Sequence, residues 1–313
     1  MLSRVADSLY WMARYLERGE HTARLIAVKL ESMVEQSQED SEAAWHRVVE
    51  ALSGEEFAPK AHDAYAITQA IGFNRLNPSS LVSSLRYARD NARQVREQLS
   101  TEVWEHLNKL YLRLQPVTVD AVWSHSPARI FRDALEDFHT LEGVIISTLS
   151  HNEGWYFLQL GRHIERAQLV SRVLDMHFRH LPGVSTPKYF DWLVLLKFCT
   201  AFEPYCKAYT ASIQPERIAQ FLVFDPEFPH SVRFAIDQVV EALSRVAPSA
   251  PAARRAGVER LAGKLKATVD FGQIEELMGG GIVPFLADIT RQCEQVHDAV
   301  HLSYIAYGAE TVL

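Results

Sequence analysis

Apolar or small residues stand at Leu2, Val5, Leu9, Met12, Leu16, Gly19, Ala23, Ile26, Leu30 and Met33, alternating steps of three and four. A strand needs a step of two, so this stretch is a long helix packed along one seam. Ser3 is the expected N-cap, because its hydroxyl can accept from an unpaired first-turn amide. The same periodicity runs through about 79–114, 128–150, 155–181, 187–211, 230–246, 252–278 and 285–307. Breaks fall at Gly54, Gly72 to Pro78, Gln115-Pro116, His180 to Pro187, Asp225 to Pro229, Pro248 to Pro251 and Gly279 to Pro284. No stretch alternates well enough for a sheet, so the expected class is all-α, a helical bundle.

The chain repeats itself. A shift of 148 lays Arg14, Glu17, Arg18 and Arg24 on Arg162, Glu165, Arg166 and Arg172, and the apolar seam follows. A shift of 151 lays Ile67, Gln69, Phe73, Pro78 and Ser80 on Ile218, Gln220, Phe224, Pro229 and Ser231. Two well-separated segments agreeing in order and offset imply duplication of a multi-helix unit. The expectation is one domain over 1–313, with halves of about 1–150 and 151–313 related by an approximate twofold and forming one bundle.

Composition narrows function. At 313 residues, 48% hydrophobic and 23% charged, the chain can bury a sizeable core. A net charge of −7 opposes broad binding to nucleic acid or to acidic membrane. Cys199, Cys206 and Cys293 form no CxxC pair and read as small core residues. Arg4, Asp7, Arg14, Glu17 and Arg18 interrupt the apolar run a signal peptide needs, so the expected location is the cytoplasm. The most apolar stretch, Phe190 to Phe202, holds Asp191 and Lys197 and is too short for a membrane span.

Tyr10, Arg14, Glu17, His21 and Arg24 follow spacings of four, three, four and three and share one face, flanked by Arg18. That face lies roughly opposite the apolar seam. It reads either as a solvated face with weak ion pairs or as a stripe turned inward, where arginine forks and the glutamates Glu17 and Glu165 build a site or a buried network. Repetition in both halves favours the inward reading, and spacing alone does not separate site from network. Arg86, Arg89, Arg93 and Arg96 form a further basic row with Asp90 and Glu97 interleaved. It would extend an anion site or be an ordinary solvated face.

Glu136 with His139 and Glu294 with His297 have the Glu-x-x-His spacing of di-iron bundles. With 13 His and 39 acids such a pair arises by chance, and the neighbouring arginines oppose a cation, so no metal and no cofactor are expected. His177 with His180 and His297 with His301 lack the partners of a zinc site. Gly279-Gly280-Gly281 lacks the Lys-Ser/Thr of a phosphate loop and reads as an interhelical turn. No nucleophile elbow is present.

Taken together, these residues resemble the bacterial alpha-E family, a helical domain with a Glu-Arg motif. The resemblance rests on Met1 through Met12 leading to Arg14-Tyr15-Leu16-Glu17-Arg18; on Asn77-Pro78 with Ser80; and on Ala88 to Arg93 with Val95 to Leu99. It continues in Gly154-Trp155, Phe157, Gly161-Arg162, Glu165-Arg166-Ala167, Asp225, Phe228-Pro229 and Ser231 to Phe234. What the resemblance implies is company: circularly permuted ATP-grasp ligases, transglutaminase-like peptidases and a proteasome-related peptidase, hence peptide or amide metabolism. It carries no catalytic residues across. The expected function is an accessory protein using its Arg-x-x-Glu-Arg helices to bind such a partner or an anionic ligand. The alternatives are an enzyme acting on a peptide-derived intermediate, with Glu17 or Glu165 as general base, and a di-iron carboxylate protein.

Overall fold

In a computed structural model, the structure describes residues 3–32, 57, 63–124, 126–179, 189–210, 212–246 and 252–305, and all regular structure among them is helical. The breaks expected at Gly54, His180 to Pro187 and Pro248 to Pro251, and the residues Met1, Leu2, Met33 and His180, lie outside the described residues. No described helix is long and apolar enough to cross a membrane.

The chain divides into two compact units. One comprises residues 1–14 and 150–313, the other residues 15–149. The first helix, α1 (Ser3–Ser32), is 30 residues long and contributes its opening turns to one unit and the remainder to the other.

In the unit of residues 15–149, α2 (Ala64–Thr68) widens into a π turn at Gln69–Phe73 and is followed by α3 (Leu81–Gln94), α4 (Thr101–Leu114), α5 (Val119–Trp123) and α6 (Pro127–Thr148). Here α4 packs on α3 and α6. The other unit is built on α7 (Glu153–Arg179), flanked by α11 (Val232–Val246) and α14 (Ile282–Val300), with α12 (Ala252–Asp270) against both flanking helices. The shorter α8 (Tyr189–Phe198), α9 (Phe202–Tyr209), α10 (Pro215–Phe224) and α13 (Ile274–Glu276) complete it.

Several expected stretches are broken. The stretch at 79–114 is two helices, because the chain tightens into a 3-10 turn at Arg96–Gln98 and Ser100 restarts α4 by accepting from Val103 N at 3.2 Å. The stretch at 187–211 is cut at Thr200, which takes a left-handed φ of 53°. The stretch at 252–278 is interrupted after Asp270, ahead of Gly272, where a Cβ would lie 2.7 Å from the Phe224 ring. Conversely, Gly279 to Pro284 is no break. Leu277–Gly281 form a π turn that runs straight into α14, and Pro284 falls in its first turn, where a missing amide costs little.

Both segments matched at the 151 shift have the same local build. Asn74 Oδ1 accepts from Leu76 N and Asp225 Oδ1 from Glu227 N, closing an Asx turn in each. Ser80 then caps α3 through Ser83 N at 3.3 Å, and Ser231 caps α11 through Phe234 N at 3.0 Å.

Candidate functional site

Along α1 the charged stripe is inside the protein. Tyr10, Arg14, Glu17, His21 and Arg24 are 0, 5, 6, 4 and 4% exposed, and Glu20 and Lys29 are buried with them. The solvated reading of this face is therefore set aside. An isolated guanidinium or carboxylate is too costly to bury without a partner.

In the unit containing α7, the partners are explicit. Gly161 on α7 faces the backbone of α1, and a Cβ there would fall 2.1 Å from the Tyr10 carbonyl oxygen. Only glycine permits that approach. One turn further along each helix, Arg14 meets Glu165: Nε donates to Oε2 at 2.7 Å, and Nη2 donates to Gln168 Oε1 at 2.9 Å. The Arg14 guanidinium also lies 4.9 Å from the Trp11 ring. Burial opposes its charge, and the adjacent Glu165 carboxylate more than restores it. Arg14 and Glu165 thus pair the leading arginine of the first Arg-x-x-Glu-Arg motif with the glutamate of the second.

Around this charged pair the groups are neutral. Burial pushes the Tyr10 phenol up to about 12, with Arg14 pulling the other way. Burial, assisted by Arg14, lowers His297 to about 4. The Tyr10 hydroxyl and His297 Nδ1 are hydrogen-bonded at 2.8 Å, with the donor set by the tautomer of the neutral ring. Burial also raises the Cys293 thiol to about 12, which keeps it a thiol. His163 is held well below its ordinary value by burial and then by Arg166 and Arg162. Of these groups only His297 and Trp11 retain partial exposure.

The other motif residues divide by depth. Arg166 is buried and donates to the Pro229 carbonyl at 3.1 Å, bracing the turn before α11. Arg162 is half-exposed. Arg172 meets Glu294 at 3.3 Å with both side chains largely open to water, a contact of small energetic weight.

In the other unit, Arg24 Nη2 donates to Glu20 Oε1 at 2.5 Å and lies 3.1 Å from His139 Nε2. A guanidinium only donates, so Nε2 is the acceptor, and the 3.4 Å approach of that nitrogen to Glu20 is proximity without a hydrogen bond. Arg18 is half-exposed against the Tyr15 ring. On α3, Arg89 donates to Asn108 Oδ1 at 2.7 Å and lies 4.8 Å from the Tyr111 ring, while Arg93 is exposed with Asp90 at 3.7 Å.

Glu136 and Glu294 are exposed, and the partners of His139, Glu294 and His297 are those given above. Among the described residues, no three His, Cys, Asp or Glu gather to hold a cation. His177 lies against Trp192, and His301 approaches Asp7 Oδ1 at 3.8 Å.

Sequence reasoning singled out Tyr10, Arg14, Glu165 and His297 as candidates, read Cys293 only as a small core residue, and did not single out Trp11, Gln168 or Glu20. Their signal was present as helical spacing: Gln168 is three residues after Glu165, Trp11 three before Arg14, Glu20 four before Arg24 and Cys293 four before His297.

A family profile described as "A predicted alpha-helical domain with a conserved ER motif" matches residues 1–305. The chain is 25% identical to the uncharacterized protein Mb2597 of Mycobacterium bovis, over 91% of this chain and 34% of that protein. It is 24% identical, with the same coverage, to the uncharacterized protein Rv2567 of Mycobacterium tuberculosis. The chain therefore spans about a third of the length of these relatives. No solved structure matches it.

Proposed function

The chain belongs to the alpha-E family, and we propose that it acts as a non-catalytic binding protein whose Arg-x-x-Glu-Arg helices are its internal frame. The observation that carries this reading is the Arg14–Glu165–Gln168 network, buried and internally satisfied. A general base must reach a substrate proton, and Glu165 is 3% exposed with Arg14 on one oxygen. The enzyme reading, with Glu17 or Glu165 as base, therefore ranks second. Contacts to a partner fall to the arginines that reach water, among them Arg18, Arg162, Arg172, Arg89 and Arg93.

By resemblance to the family, the partner is a circularly permuted ATP-grasp ligase, in a system with a transglutaminase-like peptidase and a proteasome-related peptidase, acting in peptide or amide metabolism in the cytoplasm. Neither nucleic acid nor membrane is part of this reading. The halves 1–150 and 151–313 are read as copies of one unit. The repeated Asx turn and serine cap support this, as does a parallel in reach: Arg24 extends to His139 on α6, and Arg172 to Glu294 on α14.

The test is to mix the purified chain with the ATP-grasp ligase from the same host and to measure complex formation by size-exclusion chromatography with light scattering. A complex of defined stoichiometry supports the proposal. Two separate peaks at micromolar concentrations, with ligase turnover unchanged, would count decisively against it. Charge reversal at Arg14 is unsuitable as a probe, because it would bury two carboxylates side by side and unfold the site.

A further inference from the structure

We infer that the outer face formed by α3 and α4 binds an acidic peptide segment through Arg86, Arg89 and Arg96; the inference rests on the reading of the chain as a binding protein and names the chemistry of one contact surface. Arg86 lies 4.7 Å from the Tyr87 ring. Arg89 lies 4.8 Å from Tyr111 and 5.6 Å from Trp104, with Nε fixed by Asn108. Arg96, exposed in the 3-10 turn after α3, lies 5.3 Å from the Trp104 ring.

Among the described residues, none of these three has a carboxylate within ion-pair distance. Elsewhere on the surface, Arg113, Arg132, Arg179, Arg233 and Arg291 each have one. In a chain carrying a net charge of −7, a row of arginines held on aromatic faces instead of on acids is an unneutralised positive strip. Stacking leaves the guanidinium edges, which carry the N–H donors, directed past the ring, and it fixes side chains whose ordering would otherwise oppose binding.

Arg86 and Arg89 stand three residues apart on α3 and are neighbours on its surface, while Arg96 follows seven residues later in the turn beyond it. Alternate residues of an extended peptide place side chains on one face about 6.6 Å apart. An extended segment with acids at every second position therefore sets neighbouring carboxylates on Arg86 and Arg89 and reaches Arg96 further along. A single-stranded nucleic acid fits less well. Its bases need free ring faces, which the guanidinium groups already cover.

The experiment is fluorescence anisotropy of a labelled peptide of alternating glutamate and serine, titrated with the full chain at low ionic strength. The expected result is saturable binding that weakens with added salt, and a loss of at least about tenfold in affinity in the variant R86Q/R89Q/R96Q. The control variant Arg132→Gln should bind as the parent does. Among the described residues, the single variants Arg86→Gln and Arg96→Gln remove no side-chain hydrogen bond; should the triple variant fail to fold, each should weaken binding by about threefold. Absence of binding, equal binding by folded variants, or tighter binding of a single-stranded oligonucleotide of equal charge would overturn the inference. The two proposals fail separately. If the ligase complex fails to form while the acidic peptide binds through these arginines, the ligase reading falls and this surface stands. If the ligase complex forms and neither protein nor variant binds the peptide, this surface falls and the binding-protein reading stands.

Discussion

Arg14 is the residue on which the buried network turns. Its charge is desolvated and is offset by one carboxylate, one amide and an indole face. Breaking a buried pair from one side strands the other charge, at a cost of about 3–5 kcal/mol, whereas replacing both partners by apolar groups is often nearly neutral. Arg14→Met and Glu165→Leu should each lower stability by about that amount in urea unfolding, and the double variant should recover a large part of the loss. Single losses under about 1 kcal/mol would mean that the pair is solvated. His297 sets the pH response. Folded, it binds its proton near 4, against an ordinary value of 6.5, so the unfolded chain holds more protons between those values. Its contribution to stability is thus complete above 6.5 and is lost as pH falls toward 4. Buried His163, also lowered, acts in the same direction. The melting temperature should decline from pH 6.5 to pH 5, less steeply in His297→Gln, and parallel slopes for the two proteins would refute this assignment.

At the scale of elements, the serine caps set where helices restart. Ser80 supplies an acceptor to the first turn of α3. Ser231 does so for α11 and additionally donates its hydroxyl proton to the Asp225 carbonyl. Ser80→Ala should cost about 1 kcal/mol, and Ser231→Ala more, because it also leaves the half-buried Asp225 carbonyl short of a donor. Denaturant midpoints of the two variants would check this, and equal losses would show that the Asp225 bond has no net weight. Elements also explain which breaks were legible. Ser100 followed by Thr101 and Glu102 carries an ordinary helix-start signal, readable from sequence. Thr200 does not. A β-branched residue at a φ of 53° gives no turn signal in the sequence; the helix end is closed there by backbone bonds, Ala201 N donating to the Leu196 carbonyl at 2.7 Å. The glycine run near 280 misled in the other direction, because a π turn accommodates it inside a continuing helix.

For the whole molecule, the important feature is that the opening turns of α1 belong with residues 150–313. Ala6, Leu9, Tyr10, Met12 and Ala13, all buried, go with them. A fragment of residues 150–313 would expose the surface these residues cover and leave Glu165 and Gln168 without Arg14. It should therefore lack a cooperative thermal transition and bind a hydrophobic dye. Joining the Ser3–Ser32 helix to it through a flexible linker should restore the transition. A fragment that melts cooperatively by itself would show that the α1 turns are dispensable to that unit.

What the sequence determined by itself was period and order: a long amphipathic first helix, an all-helical chain, and a charged motif that returns after 148 residues. These are local properties, written in the spacing of side chains about a 3.6-residue turn. Whether the charged stripe met water or protein was decided only by tertiary structure. A helix buried on one face and a helix buried all round can carry the same polar spacing, and the difference lies in what packs on the second face. Gly161 illustrates the point. In sequence it is a weak helix former, whereas in the fold the missing Cβ lets α1 and α7 approach until Arg14 reaches Glu165.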